Sequence, residues 1–336
     1  FFFFFLMIRR PPRSTLTTTL MSKRGVALDS EFRYLEPFSQ GQTRFNWMPN
    51  DSLRQQSRWG LSTQNTGELD TGLTAVGSLG VNVNINRVSD DNYWRDFPRA
   101  GLSLTQRLLP ASGSVQWSQG DLSMMAQVLQ FQTLQDINSP ITPPYNRSPQ
   151  ILARYNKWDV QGFDFSLTGD TTRFEADFSQ IPGGASTPLR NGQRSFVAAQ
   201  VSRPWLSSWG FVIPKIQLHG TRYQLDAPLA NGQLEANRVL PSFSLDSGLI
   251  YERDASFFNR DLRQTLEPRA FFVWTPYRDQ SALPSYDSGA TDFNLTTIYS
   301  ENPYVGQDRI ADNNLVTLGV NSRFFDATTG AELARF

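Results

Sequence analysis

The sequence predicts an all-β chain: an antiparallel transmembrane β-barrel, present in part, with roughly a dozen strands of a larger barrel. Three observations carry that expectation. Apolar and polar residues alternate with period two, most cleanly in Val81-Asn-Val-Asn-Ile-Asn86, which places one set of side chains on each face of a strand. No apolar run is long enough for a transmembrane helix. Aromatic residues make up 13% of the chain, with 25 Phe, 10 Tyr and 8 Trp, the supply that girdles at two membrane interfaces require. An apolar content of only 39% fits the same picture, because a barrel intersperses its lipid-facing residues with polar ones.

Taken in order, residues 1–19 are set aside. Phe1 to Ile8 precedes Arg9-Arg-Pro-Pro-Arg13, the reverse of a secretory signal, in which charge comes first. That segment is expected to be an artefactual leader, and residues 20–336 a partial barrel domain. Strands are expected at Val81–Asn86, Phe163–Thr168, Phe174–Ser179, Phe243–Asp246 and Val316–Val320. Turns are expected at Asp51-Ser52, Asn65-Thr-Gly67, Gly169-Asp170, Asn191-Gly192 and Asn231-Gly232. Longer connections are expected at 136–154, 181–194 and 279–291, so that tight and long links alternate unevenly, as periplasmic turns and extracellular loops do. Proline removes a ladder donor, so Pro204, Pro214, Pro268 and Pro276 are expected at strand ends near the membrane boundary. Phe336 stands where a terminal aromatic recognition residue would, but Glu332 and Ala334 on its face give no apolar stripe. Further strands are therefore expected beyond it.

The polar members of the alternation are candidate lumen residues. Asn82, Asn84, Asn86, Asp164, Ser166, Glu175 and Asp177 would be costly in a dry core and suit a water-filled lumen. Glu267 and Arg269, two apart, share a strand face and belong to the same set. His219, alternating with Ile216 and Leu218, reads as another lumen residue. The loop residues Tyr277, Arg278, Asp279, Gln280, Tyr286 and Asp287 mix charge, amide and aromatic groups in a composition suited to protein contact.

Several classes of chemistry are excluded or unsupported. With 31 basic and 31 acidic residues, nothing favours nucleic acid as a partner. The absence of cysteine removes disulfides and thiolate sites, and a single histidine removes multi-histidine metal centres. No nucleophile motif, phosphate loop or metal signature is found, so neither catalysis nor a cofactor is expected. Ser89-Asp-Asp-Asn92, and Asp308 with Asp312 and Asn313, offer hard oxygens for calcium. Neither has the glycine and glutamate pattern of a calcium loop, so solvated turns are the preferred reading. Composition leaves two further readings open: a porin-like or receptor barrel for solutes, and a soluble all-β carbohydrate-binding protein with its aromatic residues lining a groove.

Blocks of sequence separate these readings. Ser30-Glu-Phe-Arg-Tyr-Leu35 and Trp47-Met-Pro-Asn-Asp51 come first, then Asn86-Arg-Val-Ser-Asp-Asp-Asn-Tyr-Trp-Arg-Asp-Phe97. Val239 to Asp254, Gln264-Thr-Leu-Glu-Pro-Arg269, Pro276-Tyr-Arg-Asp-Gln-Ser281 and Gly306-Gln-Asp-Arg-Ile-Ala-Asp-Asn313 follow in that order. Together they resemble the barrel domain of the lipopolysaccharide-assembly outer-membrane protein family, also called the organic-solvent-tolerance family. The resemblance implies location in the outer membrane of a Gram-negative bacterium. It implies a path that carries lipopolysaccharide from the periplasm to the outer leaflet through a hydrophilic lumen and a lateral gate. It implies as partners the bilayer, a lumenal lipoprotein plug of the LptE type near the 277–287 loop, and a periplasmic lipopolysaccharide-bridge protein. The last would be reached through an N-terminal jelly-roll that this sequence does not contain.

Overall fold

Alternation in the sequence becomes strand after strand. The computed structural model describes residues 13–73, 76–97, 106–136, 138–176, 190–257 and 260–336. The first seven strands are β1 (Arg13–Met21), β2 (Gly25–Glu36), β3 (Ser39–Asp51), β4 (Gln56–Asp70), β5 (Ser78–Val88), β6 (Leu108–Gln119) and β7 (Leu122–Thr133). Then come β8 (Asn146–Val160), β9 (Phe163–Glu175), β10 (Gly192–Ser202), β11 (Trp205–Ser207), β12 (Gly210–Leu225) and β13 (Glu235–Leu249). The last four are β14 (Tyr251–Phe257), β15 (Arg260–Thr275), β16 (Asn313–Asp326) and β17 (Glu332–Arg335). One helical turn, α1 (Tyr93–Asp96), follows β5.

The all-β antiparallel class of a partial barrel is thus what the chain forms, with seventeen strands in one sheet where about a dozen are expected from the pattern. The surplus comes from short pieces such as β11 and β17, and from β1, which takes in residues 13–19 of the segment set aside above. Residues 1–12 lie outside the described residues.

Two compact units are distinguished: residues 1–153 with 170–194 and 224–227, and residues 154–169 with 195–223 and 228–336. In the first, β1 to β7 pair in sequence, each antiparallel with the next. In the second, β15 is the hub, paired with β13, β14 and β16. Connections alternate along the chain. Residues 37–38, 120–121 and 161–162 are tight turns, whereas 89–107, 134–145 and 276–312 are long links.

Three expectations about boundaries are corrected. Residues 146–154, expected in a loop, open β8. Asn65-Thr-Gly67 and Gly169-Asp170, expected as turns, lie inside β4 and β9. Turn-forming side chains can stay in a strand when neighbouring strands satisfy them. Asn65 accepts a hydrogen bond from Tyr34 on β2, and Asp170 is buried beside Arg194. Gly67 is needed where the Phe38 carbonyl and Ser39 approach closely. The run expected to reach Ser179 ends in β9 at Glu175. Asp177, Phe178 and Ser179, and residues 181–189 of the expected long connection, lie outside the described residues.

Proline placement divides. Pro204 and Pro276 flank strands as expected, whereas Pro214 and Pro268 sit within β12 and β15. Each interior proline faces a break in a neighbouring strand. The Pro214 carbonyl accepts from the Arg203 amide where the chain leaves β10. Pro268, lacking a donor, falls where β13 gives way to β14 in the ladder with β15, and there the Ile250 amide turns to the Trp209 carbonyl instead.

Candidate functional site

The two faces of these strands differ in chemistry. In the first unit Asn84 and Asn86 on β5 join Ser62 on β4 through side-chain hydrogen bonds of 2.9 Å. Asn82, paired with Thr66 and Ser114, continues that row. Across β2 and β3 the row becomes charged. Asp29 accepts from Asn46, while Glu31 meets Arg33, Arg44 and Gln42. The opposite face of the same strands exposes Phe32, Phe45, Trp47 and Trp59.

A second feature of this unit closes one strand end. Arg58, fully buried on β4, holds Asp90 through two bonds of 2.8 Å, Asp96 at 2.7 Å and Asp51 at 3.0 Å. Arg24 and Arg54 complete a neutral set with those three carboxylates. The Arg58 guanidinium also lies 4.6 Å from the Phe97 ring centre, a cation–π contact. Beneath it, Val88, Tyr93, Leu109 and Leu134 form a small apolar core with Trp94 and Phe97. Burial alone would raise the Asp96 carboxyl. Hydrogen bonds from Arg54 and Arg58 and the charge of Arg24 outweigh it and bring the pKa down to about 2.

In the second unit the polar face is covered by the chain itself. The inward row of β12 holds Lys215, Gln217, His219, Thr221 and Tyr223, while Ile216 and Leu218 between them are exposed. His219 contacts Gln217 on that row, as its alternation with apolar residues predicts. Loop 276–312 lies over this face. Asp308, fully buried, accepts from Tyr223 Oη at 3.0 Å and from the amides of Tyr286 and Asp287 at 2.6 and 2.9 Å. Arg238 on β13 donates to the Asp308 and Gln307 carbonyls, to Gln280 Oε1 and to Thr221 Oγ1. Farther along, Glu301 accepts from Lys215 at 2.8 Å and from Ser244 at 3.1 Å. Burial would raise the Glu301 carboxyl, and the ammonium of Lys215 beside it holds it below the usual range.

Tyr299 completes the seating of the loop. Its ring lies 4.1 Å from the Arg269 guanidinium, and its hydroxyl occupies the space that a side chain at Gly319 would fill. Thr317 donates to the Ile298 carbonyl alongside.

Asn82, Asn84 and Asn86 share one polar face. Asp164 and Ser166 share another on β9, where Ser166 bonds Asn156 and Asp164 caps the turn through the Asp159 amide. Glu175 departs from the expectation, because alternation along β9 puts it with Phe165 and Leu167 instead of Asp164. The reason is a change of role near the strand end. Phe174 turns inward and is buried against Arg194, so its polar neighbour faces outward to Arg173. Glu267 and Arg269 share the inward face, but each finds its own partner, Arg323 and Asp246 respectively. Of the loop residues, Tyr277, Arg278 and Asp279 are exposed. Gln280, Tyr286 and Asp287 are instead engaged in seating the loop.

In each calcium alternative one carboxylate already has protein partners. Asp90 is held by Arg58, and the Asp308 oxygens are occupied by donors. Sequence reading missed Arg58, Arg238 and Asp308 as anchors. Their only signal is an isolated charge at an inward position of a strand or amid an aromatic loop.

A family model described as LPS transport system D, LptD, matches residues 56–336. The LPS-assembly protein LptD of Polaromonas sp. (strain JS666) is 54% identical over 322 residues, covering 94% of this chain and 38% of that protein. The protein of the same name from Albidiferax ferrireducens is 52% identical, with 95% and 40% covered. That of Ralstonia nicotianae is 42% identical, with 94% and 38% covered. This chain therefore spans about two-fifths of the length of these relatives. Among solved structures, in-vitro folded OmpT, an outer membrane protein of Vibrio cholerae, aligns over 95% of this chain and 100% of its own at 8% identity. Its TM-score of 0.31 is too low to bear on the fold.

Proposed function

Because this chain belongs to the LPS transport system D (LptD) family, we propose that it is barrel wall of a lipopolysaccharide-assembly protein of the Gram-negative outer membrane. The observation that carries this reading is the two-faced strand. On β12 and β16, Ile216, Leu218, Val316, Leu318 and Val320 are exposed on one face, while the other carries the Gln217 amide, the Thr317 hydroxyl and the paired charges of Lys215 with Glu301 and Arg323 with Glu267. A bilayer satisfies the first face and water the second.

The polar face suits a sugar-rich cargo. Amides such as Asn84 and Gln64, and hydroxyls such as Ser112 and Ser114, donate and accept in turn, so they can exchange with sugar hydroxyls and water without a tight site. Charges on this face are largely paired within it, as Arg269 is with Asp246. A negatively charged lipid headgroup therefore meets few free cations that would trap it. No covalent step is required. The lipid chains would travel outside this face, and the lateral gate and periplasmic bridge contacts would belong to other parts of the protein.

Exposed Tyr277, Arg278 and Asp279 lie at the start of loop 276–312 and are the surface offered to a lipoprotein partner of the LptE type. Gln280, Tyr286 and Asp287 support that surface from beneath.

Depletion of the parent protein in its own cells tests the function. Newly made lipopolysaccharide is expected to stop reaching the cell surface and to accumulate on the periplasmic side. Normal surface lipopolysaccharide with impaired uptake of small solutes would overturn this reading in favour of a porin-like barrel.

A further inference from the structure

The outward face of the second unit is not evenly filled. Between β11–β12 and β15–β16 it carries a depression of about 760 Å³. Small residues, Ser247 and Ala270, form its floor together with Pro268. Trp205, Val212, Leu249, Leu318 and Val320 stand around it. Register places the floor and walls on one side: Ala270 pairs with Ser247 and with Leu318, and Trp205 with Val212. The ladder break at Pro268, where β13 gives way to β14, falls in its floor.

One end of this groove has a charge. Arg203 lies 5.3 Å from the Trp205 ring centre and 4.8 Å from that of Phe163. Among the described residues no carboxylate pairs with it, and it is exposed. An alkyl-lined groove ending at an aromatic-backed guanidinium is complementary to a molecule with hydrocarbon chains and an anionic head. Position selects among such molecules. Arg203 follows β10 and Trp205 opens the three-residue β11, whose two-residue turn 208–209 into β12 lies at the same strand ends as the two-residue turn 161–162. Short connections of membrane barrels lie on the periplasmic side.

We infer that this groove is a seat for an anionic glycerophospholipid of the periplasmic leaflet, its phosphate on Arg203 and an acyl chain over Ala270 and Ser247. The inference rests on the membrane placement proposed above. Such a lipid fills the outward surface where proline interrupts the ladder, and Trp205 and Trp209 mark the interface beside its head.

The test uses the full-length parent protein in mild detergent, followed by native mass spectrometry with phosphatidylglycerol, phosphatidylethanolamine and lipopolysaccharide as probes. The wild type is expected to retain one phosphatidylglycerol under conditions that strip phosphatidylethanolamine, and added lipopolysaccharide should not displace it. Arg203→Gln is expected to weaken retention about tenfold or more, the usual scale of one charge-assisted hydrogen bond. Ala270→Leu, which fills the floor, should do the same while preserving strand content and heat-modifiable migration. Equal retention by wild type and both variants, or displacement by lipopolysaccharide, overturns the seat while leaving the barrel reading intact. A parent protein that stays dispersed without detergent and retains none of the three lipids overturns the membrane reading itself.

Discussion

Asp308 anchors loop 276–312 with a single carboxylate. Its replacement by alanine leaves Tyr223 Oη and the amides of Tyr286 and Asp287 without their acceptor. Each orphaned buried donor costs about 1–3 kcal/mol. Asp308→Ala is therefore expected to lower unfolding free energy by about 3 kcal/mol, read by urea titration, and to expose the loop to limited proteolysis. Unchanged protease resistance would count against the anchor. Asp96 makes a pH prediction. Its folded pKa of about 2 lies below the ordinary aspartate value of 3.8, so its contribution is complete above about pH 4 and is lost as pH falls toward 2. Acid unfolding should be less steep over that window in Asp96→Asn, which has no carboxyl to protonate. Neither anchor was legible in sequence. Tyr223 and Asp308 lie 85 positions apart, and Arg58 and Asp96 lie 38 apart, and alternation says nothing about partners across such gaps.

Strands were legible wherever alternation is strict and both faces have a continuous environment. Val81–Asn86 reads directly as β5 for that reason. The same rule misplaced Glu175, because near the end of β9 the inward position is taken by an aromatic ring over Arg194 and the polar residue faces out. It also misread Asn65-Thr-Gly67, because the Asn65 side chain finds a cross-strand partner in Tyr34 that a sequence pattern does not reveal. Facing can be tested strand by strand. Val83→Arg and Phe165→Arg place charge on the apolar faces of β5 and β9. Each is expected to cost about 2–4 kcal/mol if the site lies at mid-bilayer. Asn84→Arg, on the inward face, should cost much less. Folding into phospholipid vesicles, followed by urea titration, checks the difference. Tolerance of both outward charges would show that these faces do not meet lipid.

At the scale of the molecule, apolar outward faces, polar inward faces and a loop seated on the inward face of the second unit go together with membership in a lipopolysaccharide-assembly family. Fold class and family were legible early, the first from periodicity and the second from ordered blocks such as Pro276-Tyr-Arg-Asp-Gln-Ser281. How the long loop is held was not, because its seating is built from backbone groups and single charges. The most direct test is site-specific photocrosslinking in the full-length protein in cells exporting lipopolysaccharide, with the probe at inward Asn82 and Asn84 and at outward Val83 and Leu318. Lipopolysaccharide adducts are predicted at Asn82 and Asn84 that disappear when export is blocked, and none that depend on export at Val83 and Leu318. Export-dependent adducts at Val83 and Leu318 with none at Asn82 and Asn84 would contradict this assignment of faces.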